Sequence, residues 1–277
     1  MTEPAPAARH AFIVSDRTGI TAENLAHSLL CHFPGVPFTT TLLAFVDTVD
    51  KAIEAARRVN EAAASSGNRP VIFATLSDAA LRETLAGSQG VLFDLFDAFL
   101  APLERELGVP SSHSVGSSHG VLDPEKYTRR IGAINFSLRF DDGADTSQYN
   151  QAQVILVGVS RSGKTPTSLY LALHYGILAA NYPLTGEELE HERLPEHLQP
   201  FKDKLFGLSI DSDRLQQIRL ERYSGGRYAT PKQCQFEVAQ AENIFRNERV
   251  PFVNTTAMSV EEIAASILHQ RGLKPGG

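Results

Sequence analysis

The sequence predicts an α/β protein made of two successive αβ segments, each with a mostly parallel sheet. Three observations carry this reading. Short apolar, β-branched runs alternate with stretches of helical periodicity along most of the 277 residues. A small, polar stretch from Pro110 to Gly120 interrupts the alternation in mid-chain. A second αβ series then opens with a strand, a glycine-rich turn and a helix in direct succession.

Ala11–Ser15 reads as the first strand, and Thr21–Phe33 as a helix with Leu25, Leu29, Leu30 and Phe33 at helical spacing. Phe38–Val46 is a Thr-rich second strand. Val49–Ala64 is an Ala-rich amphipathic helix with Ile53, Ala56 and Val59 near one face. After the Asn68-Arg69-Pro70 turn, Val71–Ala74 forms a third strand, and helical segments run on to Leu107. A long polar loop inside a compact protein is a linker or a functional segment. The expected organisation is therefore residues 1–110 as an N-terminal α/β domain, 111–150 as a linker and connecting helix, and 151–277 as a second domain. In the connecting part, Glu125–Leu138 is helical and Asp141-Asp142-Gly143 ends it. Beyond it, Val154–Val157, Tyr182–Leu184, Leu205–Ile210 and Phe252–Asn254 read as strands. Ser212–Arg222 and Pro231–Asn247 read as helices, and Ser259-Val260-Glu261-Glu262 matches a capping box that opens a last helix to about Gln270.

Composition excludes several classes. A formal net charge of −6 argues against a general nucleic-acid binder. No run of about 18 apolar residues is present, so no membrane-spanning helix is expected. Cys31 and Cys234 stand far apart, which fits a reducing compartment rather than a disulfide framework. The segment Met1–Arg9 lacks the apolar centre of a secretory signal, so the expected location is the cytoplasm. The sequence leaves open whether the chain forms a homo-oligomer.

The chemistry concentrates in Gly158-Val159-Ser160-Arg161-Ser162-Gly163-Lys164-Thr165, which fits the phosphate-binding pattern GxxxxGK[ST] at every fixed position. Its flanks fit too: a buried strand precedes it, and the helix behind it carries Pro166 in its first turn, where a missing N–H costs little. Gly158 and Gly163 let the backbone turn so that successive N–H groups face one small volume. The helix N-terminus adds positive potential there. Lys164 supplies a point charge for the outer phosphates, and the Thr165 hydroxyl is the expected Mg2+ ligand. Each charge-assisted hydrogen bond is worth about 1.5–3 kcal/mol, so a few of them offset much of the cost of immobilising a ligand. The C-terminal segment is thus expected to be a P-loop-type nucleotide-binding domain.

Other residues offer chemistry against blander alternatives. Ser15-Asp16-Arg17-Thr18-Gly19 ends the first strand, where open α/β sheets place ligands. Asp16 suits a base or metal ligand there, and an N-cap cluster explains the same residues equally well. His113 and His119, in the polar stretch, are candidate proton acceptors, although loop histidines are common. Asp141 and Asp142 suit Mg2+ binding or a solvated turn. Asp211 follows a strand, as a second magnesium-related acid or a helix cap. Among Arg129, Arg130, Arg161, Arg219 and Arg222, only Arg161 lies inside the loop and is taken as a phosphate contact.

Several segments together resemble the pyruvate, phosphate/water dikinase regulatory proteins. They are Val14-Ser15-Asp16 with Thr18 and Thr21-Ala22-Glu23; Arg130-Ile131 with Ala133-Ile134 leading to Asp141-Asp142-Gly143; Gln151 through Ser168; and Lys204-Leu205-Phe206-Gly207-Leu208. The resemblance runs from about residue 10 to 270. Ala179-Ala180-Asn181-Tyr182-Pro183 is similar to the branch acting on phosphoenolpyruvate synthase; the other branch acts on pyruvate, phosphate dikinase. The Ser-rich Pro110–Ser118 stretch and Arg17 depart from the family pattern.

The resemblance implies a bifunctional enzyme. One activity uses ADP to phosphorylate, and so inactivate, a threonine of phosphoenolpyruvate synthase. The other uses inorganic phosphate to remove that phosphoryl group and releases pyrophosphate. The family's nucleotide loop carries over onto Gly158 to Thr165 for ADP; beside it, the residues themselves offer Lys164 with Asp16 or His119 for catalysis, and Thr165 with Asp211 for Mg2+. Two readings compete on the loop alone: a small-molecule kinase using ATP, and a nucleotide-sensing module without catalysis.

Overall fold

A computed structural model of the protein describes residues 8–111, 124–222 and 227–274. The chain divides into two compact units, residues 1–120 and 121–277. Each carries one four-stranded sheet, and every strand pairing in both is parallel.

In the first unit the strands are β1 (Arg9–Ser15), β2 (Phe38–Leu43), β3 (Val71–Thr75) and β4 (Val91–Asp94), in the order β2-β1-β3-β4. The helices are α1 (Ile20–Leu30), α2 (Val49–Ser66), α3 (Ala79–Ala86) and α4 (Leu95–Leu107). Strand alternation sends Phe12, Val14, Ile72 and Ala74 into a core with Ala52, Ala55, Val59, Leu81 and Leu85. Ile13 and Phe73 point the other way, to Ala22, Ala26 and Leu95. Thr48, Asp78 and Asp94 cap α2, α3 and α4 with side-chain oxygens on backbone N–H groups. The sequence reading ran helix through β4. That strand is only four residues long, and its last residue, Asp94, is already the cap of α4.

The second unit contains α5 (Pro124–Arg139), β5 (Val154–Gly158), α6 (Lys164–Tyr175), β6 (Ala179–Pro183), α7 (Gly186–Glu190), β7 (Leu205–Ser209), α8 (Ser212–Arg222), α9 (Pro231–Asn247), β8 (Phe252–Asn254) and α10 (Val260–Arg271). Short 3-10 segments add Tyr149–Gln151, Glu196–Lys204 and Arg227–Ala229. Strand order is β6-β5-β7-β8. Helix α5, read as a connector, belongs to this unit: Ser137 Oγ donates to Ala179 O on β6 at 2.7 Å.

Every residue of β5 and β7 is buried, as expected of parallel strands covered on both faces. Ile155, Val157 and Leu205 pack with Phe140, Tyr149, Ile244 and Phe245. Val154, Leu156, Phe206 and Leu208 pack with Leu171, Ile263 and Ile267 on the opposite face. The chain leaves β5 for β6 on one side and later returns to β7 on the other. That change of direction opens a crevice beyond the carboxyl ends of β5 and β7, the usual ligand position in such sheets.

Candidate functional site

The glycine loop occupies that position, between the end of β5 and the start of α6. Gly158 belongs to the last buried turn of the strand. A Cβ there would lie 2.3 Å from Leu208 O on β7, so any side chain would force the two central strands apart. Gly163 caps α6 with φ 93°, a left-handed conformation that strains other residues. Arg161 is also left-handed, at φ 77°, and has no glycine to ease it. Such strain concentrates at functional sites.

The loop is braced on both sides. Thr255 Oγ1 donates to Ser162 O at 3.2 Å and to Ser209 O at 3.0 Å, tying the loop to the end of β7. On the other side Arg219 of α8 is fully buried. Its Nη2 donates to Ser160 O at 3.2 Å and to Glu237 Oε2 at 2.6 Å, and its Nη1 donates to Tyr228 O at 2.9 Å. The guanidinium lies 4.0 Å from the centroid of the Tyr228 ring, and the Tyr228 hydroxyl is 2.9 Å from Ser160 Oγ. A buried cation that gives one donor to a loop carbonyl and is neutralised by Glu237 fixes the loop's path without contributing a free charge to it. Arg219 is one of the helix arginines to which the sequence assigns no phosphate contact. Its spacing from the buried Leu215, four residues earlier, was the available signal.

Within the loop, Lys164 is 4% exposed and its Nζ donates to Val159 O at 3.0 Å. Burial pushes its amine down to about 8; Asp142 and Asp141 oppose the shift, while Arg161 and Arg219 add to it. Among the described residues, none of the N–H groups of Ser160, Arg161, Gly163 and Lys164 donates to a protein acceptor. Ser162 Oγ is buried and likewise without a partner. Unmatched donors gathered at a helix N-terminus, around a buried amine, fit an anionic ligand.

Two candidate acids lie at the same unit's loop end in different settings. Thr165 Oγ1 donates to Asp141 Oδ1 at 2.8 Å, and Asn181 Nδ2 donates to the same oxygen. Asn181 is a fully buried residue of β6, and its Oδ1 accepts the Asp142 N–H at 2.9 Å. One side chain therefore holds the Asp141-Asp142 turn against the start of α6. Asp211 is exposed beyond β7; its Oδ1 accepts from Asn254 Nδ2 at 2.7 Å and its N–H donates to Thr256 Oγ1 at 2.7 Å. Both are oxygen donors that suit Mg2+, and only Asp141 touches Thr165. Among the described residues no cluster of three or more His, Cys, Asp or Glu side chains occurs. Mg2+ held by one or two protein oxygens and by phosphate needs none.

Asp16 belongs to the first unit. It is 7% exposed, and its Oδ2 accepts the Ser77 N–H at 2.9 Å. It caps no helix: Gly19 stands at the N-cap of α1, without a side-chain cap. The N-cap alternative for this cluster is therefore overturned. Ser15 Oγ accepts from Thr75 Oγ1 at 3.0 Å and from the Arg17 N–H at 3.2 Å, so β1 and β3 are joined at their carboxyl ends. His113 and His119 lie outside the described residues. Among the described residues no helix is long and apolar enough to cross a membrane.

Known proteins extend these observations along the chain. A family model described as kinase/pyrophosphorylase matches residues 11–268. A protein of Alkalilimnicola ehrlichii, named "Putative phosphoenolpyruvate synthase regulatory protein", is 53% identical over 274 residues, covering 99% of this chain and 98% of the relative. A protein of the same name from Stutzerimonas stutzeri is 52% identical, covering 96% and 98%. One from Halorhodospira halophila is 53% identical, covering 96% and 97%.

Proposed function

The chain belongs to the kinase/pyrophosphorylase family, and from that premise we propose that it is a bifunctional regulator of phosphoenolpyruvate synthase. In one direction it transfers the β-phosphoryl group of ADP to a threonine hydroxyl of that enzyme. The P–O bond to AMP breaks, the bond to the threonine oxygen forms, and the hydroxyl proton passes to a base. In the other direction inorganic phosphate attacks the phosphothreonine phosphorus, and pyrophosphate and free threonine leave. The observation that carries the reading is the braced glycine loop, with its buried Lys164 and free N–H donors, inside a family match that spans both units.

Phosphoryl transfer asks a protein mainly for position and charge neutralisation. The loop N–H groups and Arg161 would hold the ADP phosphates. Lys164, charged near neutral pH and kept charged by contact with phosphate, would offset the charge that develops on the transferred group. Thr165 with Asp141, or Asp211, would hold Mg2+, whose chemistry is to neutralise phosphate oxygens. Asp16 and His119 are the candidate acceptors of the threonine proton in the kinase direction. In phosphorolysis the nucleophile is already an anion and needs less activation.

The test is incubation with purified phosphoenolpyruvate synthase, Mg2+ and either ADP or ATP, followed by intact-mass and peptide measurement of the synthase. A gain of one phosphoryl group on a threonine with ADP, lost again on adding orthophosphate with release of pyrophosphate, is the expected result. Transfer from ATP alone, or transfer only to a small molecule, defeats the reading; so does tight ADP binding with the synthase mass unchanged.

A further inference from the structure

A cavity of about 610 Å3 lies in the second unit, walled by Tyr228, Phe236, Gln233, Glu237 and Glu190. We propose that it receives the adenine base of the nucleotide whose phosphates the loop holds. This rests on the nucleotide reading above and deepens it, because the loop accounts for a diphosphate and not for a nucleoside.

The argument starts from Tyr228. Its hydroxyl is 2.9 Å from Ser160 Oγ, so one end of the side chain stands on the glycine loop. One face of its ring is covered by the Arg219 guanidinium, 4.0 Å from the centroid. Tyr228 is nonetheless 36% exposed and lines the cavity. Phe236 is a second aromatic on the wall and is 41% exposed. An aromatic backed by a buried cation, with its remaining surface open to a cavity, is a stacking platform for a flat heteroaromatic ring. Cavities of roughly 300–1,000 Å3 suit ligands of this size.

The polar wall suits a base that carries an amino group. Gln233 Nε2 donates to Glu237 Oε1 at 2.9 Å, which leaves the Gln233 carbonyl oxygen as an acceptor. The Glu190 carboxylate is another. Glu237 pairs with Arg219, and Arg219 holds Ser160 O. The cavity wall and the loop are therefore joined by two routes, through Tyr228 and through Glu237–Arg219. Occupation of the cavity would stiffen the elements that fix the loop.

The test measures the affinity of the full chain for Mg2+-ADP and for Mg2+-pyrophosphate by calorimetry. Wild type is expected to prefer ADP. Tyr228→Ala should weaken ADP about tenfold or more, as expected for loss of a stacking partner, and leave pyrophosphate within twofold. Tyr228→Phe, which keeps the ring and loses the contact with Ser160, should keep most of the preference. Independently of any variant, photolabelling wild type with 8-azido-ADP should mark peptides within 228–237. Equal weakening of both ligands by Tyr228→Ala would show that Tyr228 acts only through the loop and would overturn the subsite. Labelling elsewhere overturns it too, as does unchanged ADP affinity with loss of transfer to a protein, which would mark the cavity as a polypeptide site. Pyrophosphate binding without any preference for ADP removes the subsite and spares the loop. Failure of wild type to bind either ligand removes both.

Discussion

Thr165 Oγ1 donates to Asp141 Oδ1 at 2.8 Å, so the last residue of the glycine pattern is joined to the turn that follows α5. Asn181 completes the arrangement from β6. An acid 24 residues upstream of Thr165 thus orients the hydroxyl proposed as a Mg2+ ligand.

Removing that orientation should weaken metal use more than folding. Asp141→Asn is expected to raise the Mg2+ concentration needed for half-maximal transfer by about 10–100-fold, the usual effect of losing a group that positions a ligand. A Mg2+ titration of the kinase reaction checks this, and an unchanged midpoint assigns the role to Asp211.

Burial holds the Lys164 amine near 8, below its ordinary value of 10.5. Between those two pH values the unfolded chain carries a proton that the folded chain lacks. Stability should therefore rise with pH across this window, by about 3 kcal/mol in all, and the cost is fully present below it. Urea unfolding at pH 7 and pH 10 should show Lys164→Met more stable than wild type at pH 7, with the gap shrinking at pH 10. A bound diphosphate favours the charged amine, so ADP affinity should fall above pH 8 and binding there should take up a proton. Calorimetry in two buffers of different ionisation enthalpy measures that uptake.

The two reactions should depend unequally on the same lysine. Lys164→Ala is expected to remove the kinase activity more severely than phosphorolysis, because phosphate arrives there as its own nucleophile. Parallel assays with equal losses would contradict this.

Arg161 holds a left-handed φ of 77° for which glycine is better suited. Arg161→Gly should relieve strain of about 1–3 kcal/mol, partly offset by the greater freedom of an unfolded glycine, and raise the melting temperature slightly. The same change removes a cation from the loop and should weaken ADP binding.

Behind the loop the fully buried Arg219 pairs with Glu237, which is partly exposed at the cavity wall. Glu237→Gln leaves the buried guanidinium without its counter-charge and should cost up to about 3 kcal/mol of stability, the low end for a buried pair because Glu237 is partly solvated. Replacing both by apolar residues should cost less than the sum of the single changes, a non-additivity that a double-mutant cycle in urea measures.

Much of the second unit was legible in its sequence because strong local signals agreed there. Ser212–Arg222, Pro231–Asn247 and Phe252–Asn254 lie where periodicity and capping residues put them, and Ser259 closes its capping box with Glu262. Strand β6 runs Ala179–Pro183 rather than Tyr182–Leu184, because two alanines packed in the interior carry little strand propensity. The short α7 and the 3-10 run Glu196–Lys204 were not read, since each depends on packing more than on its own pattern. At the site, the glycine pattern named the loop and could not name its supports. Asp141, Asn181, Arg219 and Thr255 reach it from four other stretches of chain, and only tertiary contact brings them there. The advance signs among them were the Asp141-Asp142 turn, the four-residue spacing of Arg219 from the buried Leu215, and a buried asparagine in the run Ala179-Ala180-Asn181.

The first sheet is complete by Asp94, with both of its faces already supplied with helices by Leu107. Domains emerging early from the ribosome fold as units during synthesis. The N-terminal half can therefore finish its core before Gly158 has been translated. Pulse proteolysis of stalled nascent chains released at about residue 120 should find it already resistant, so that lesions in the second unit would leave a folded N-terminal remnant rather than an unfolded one.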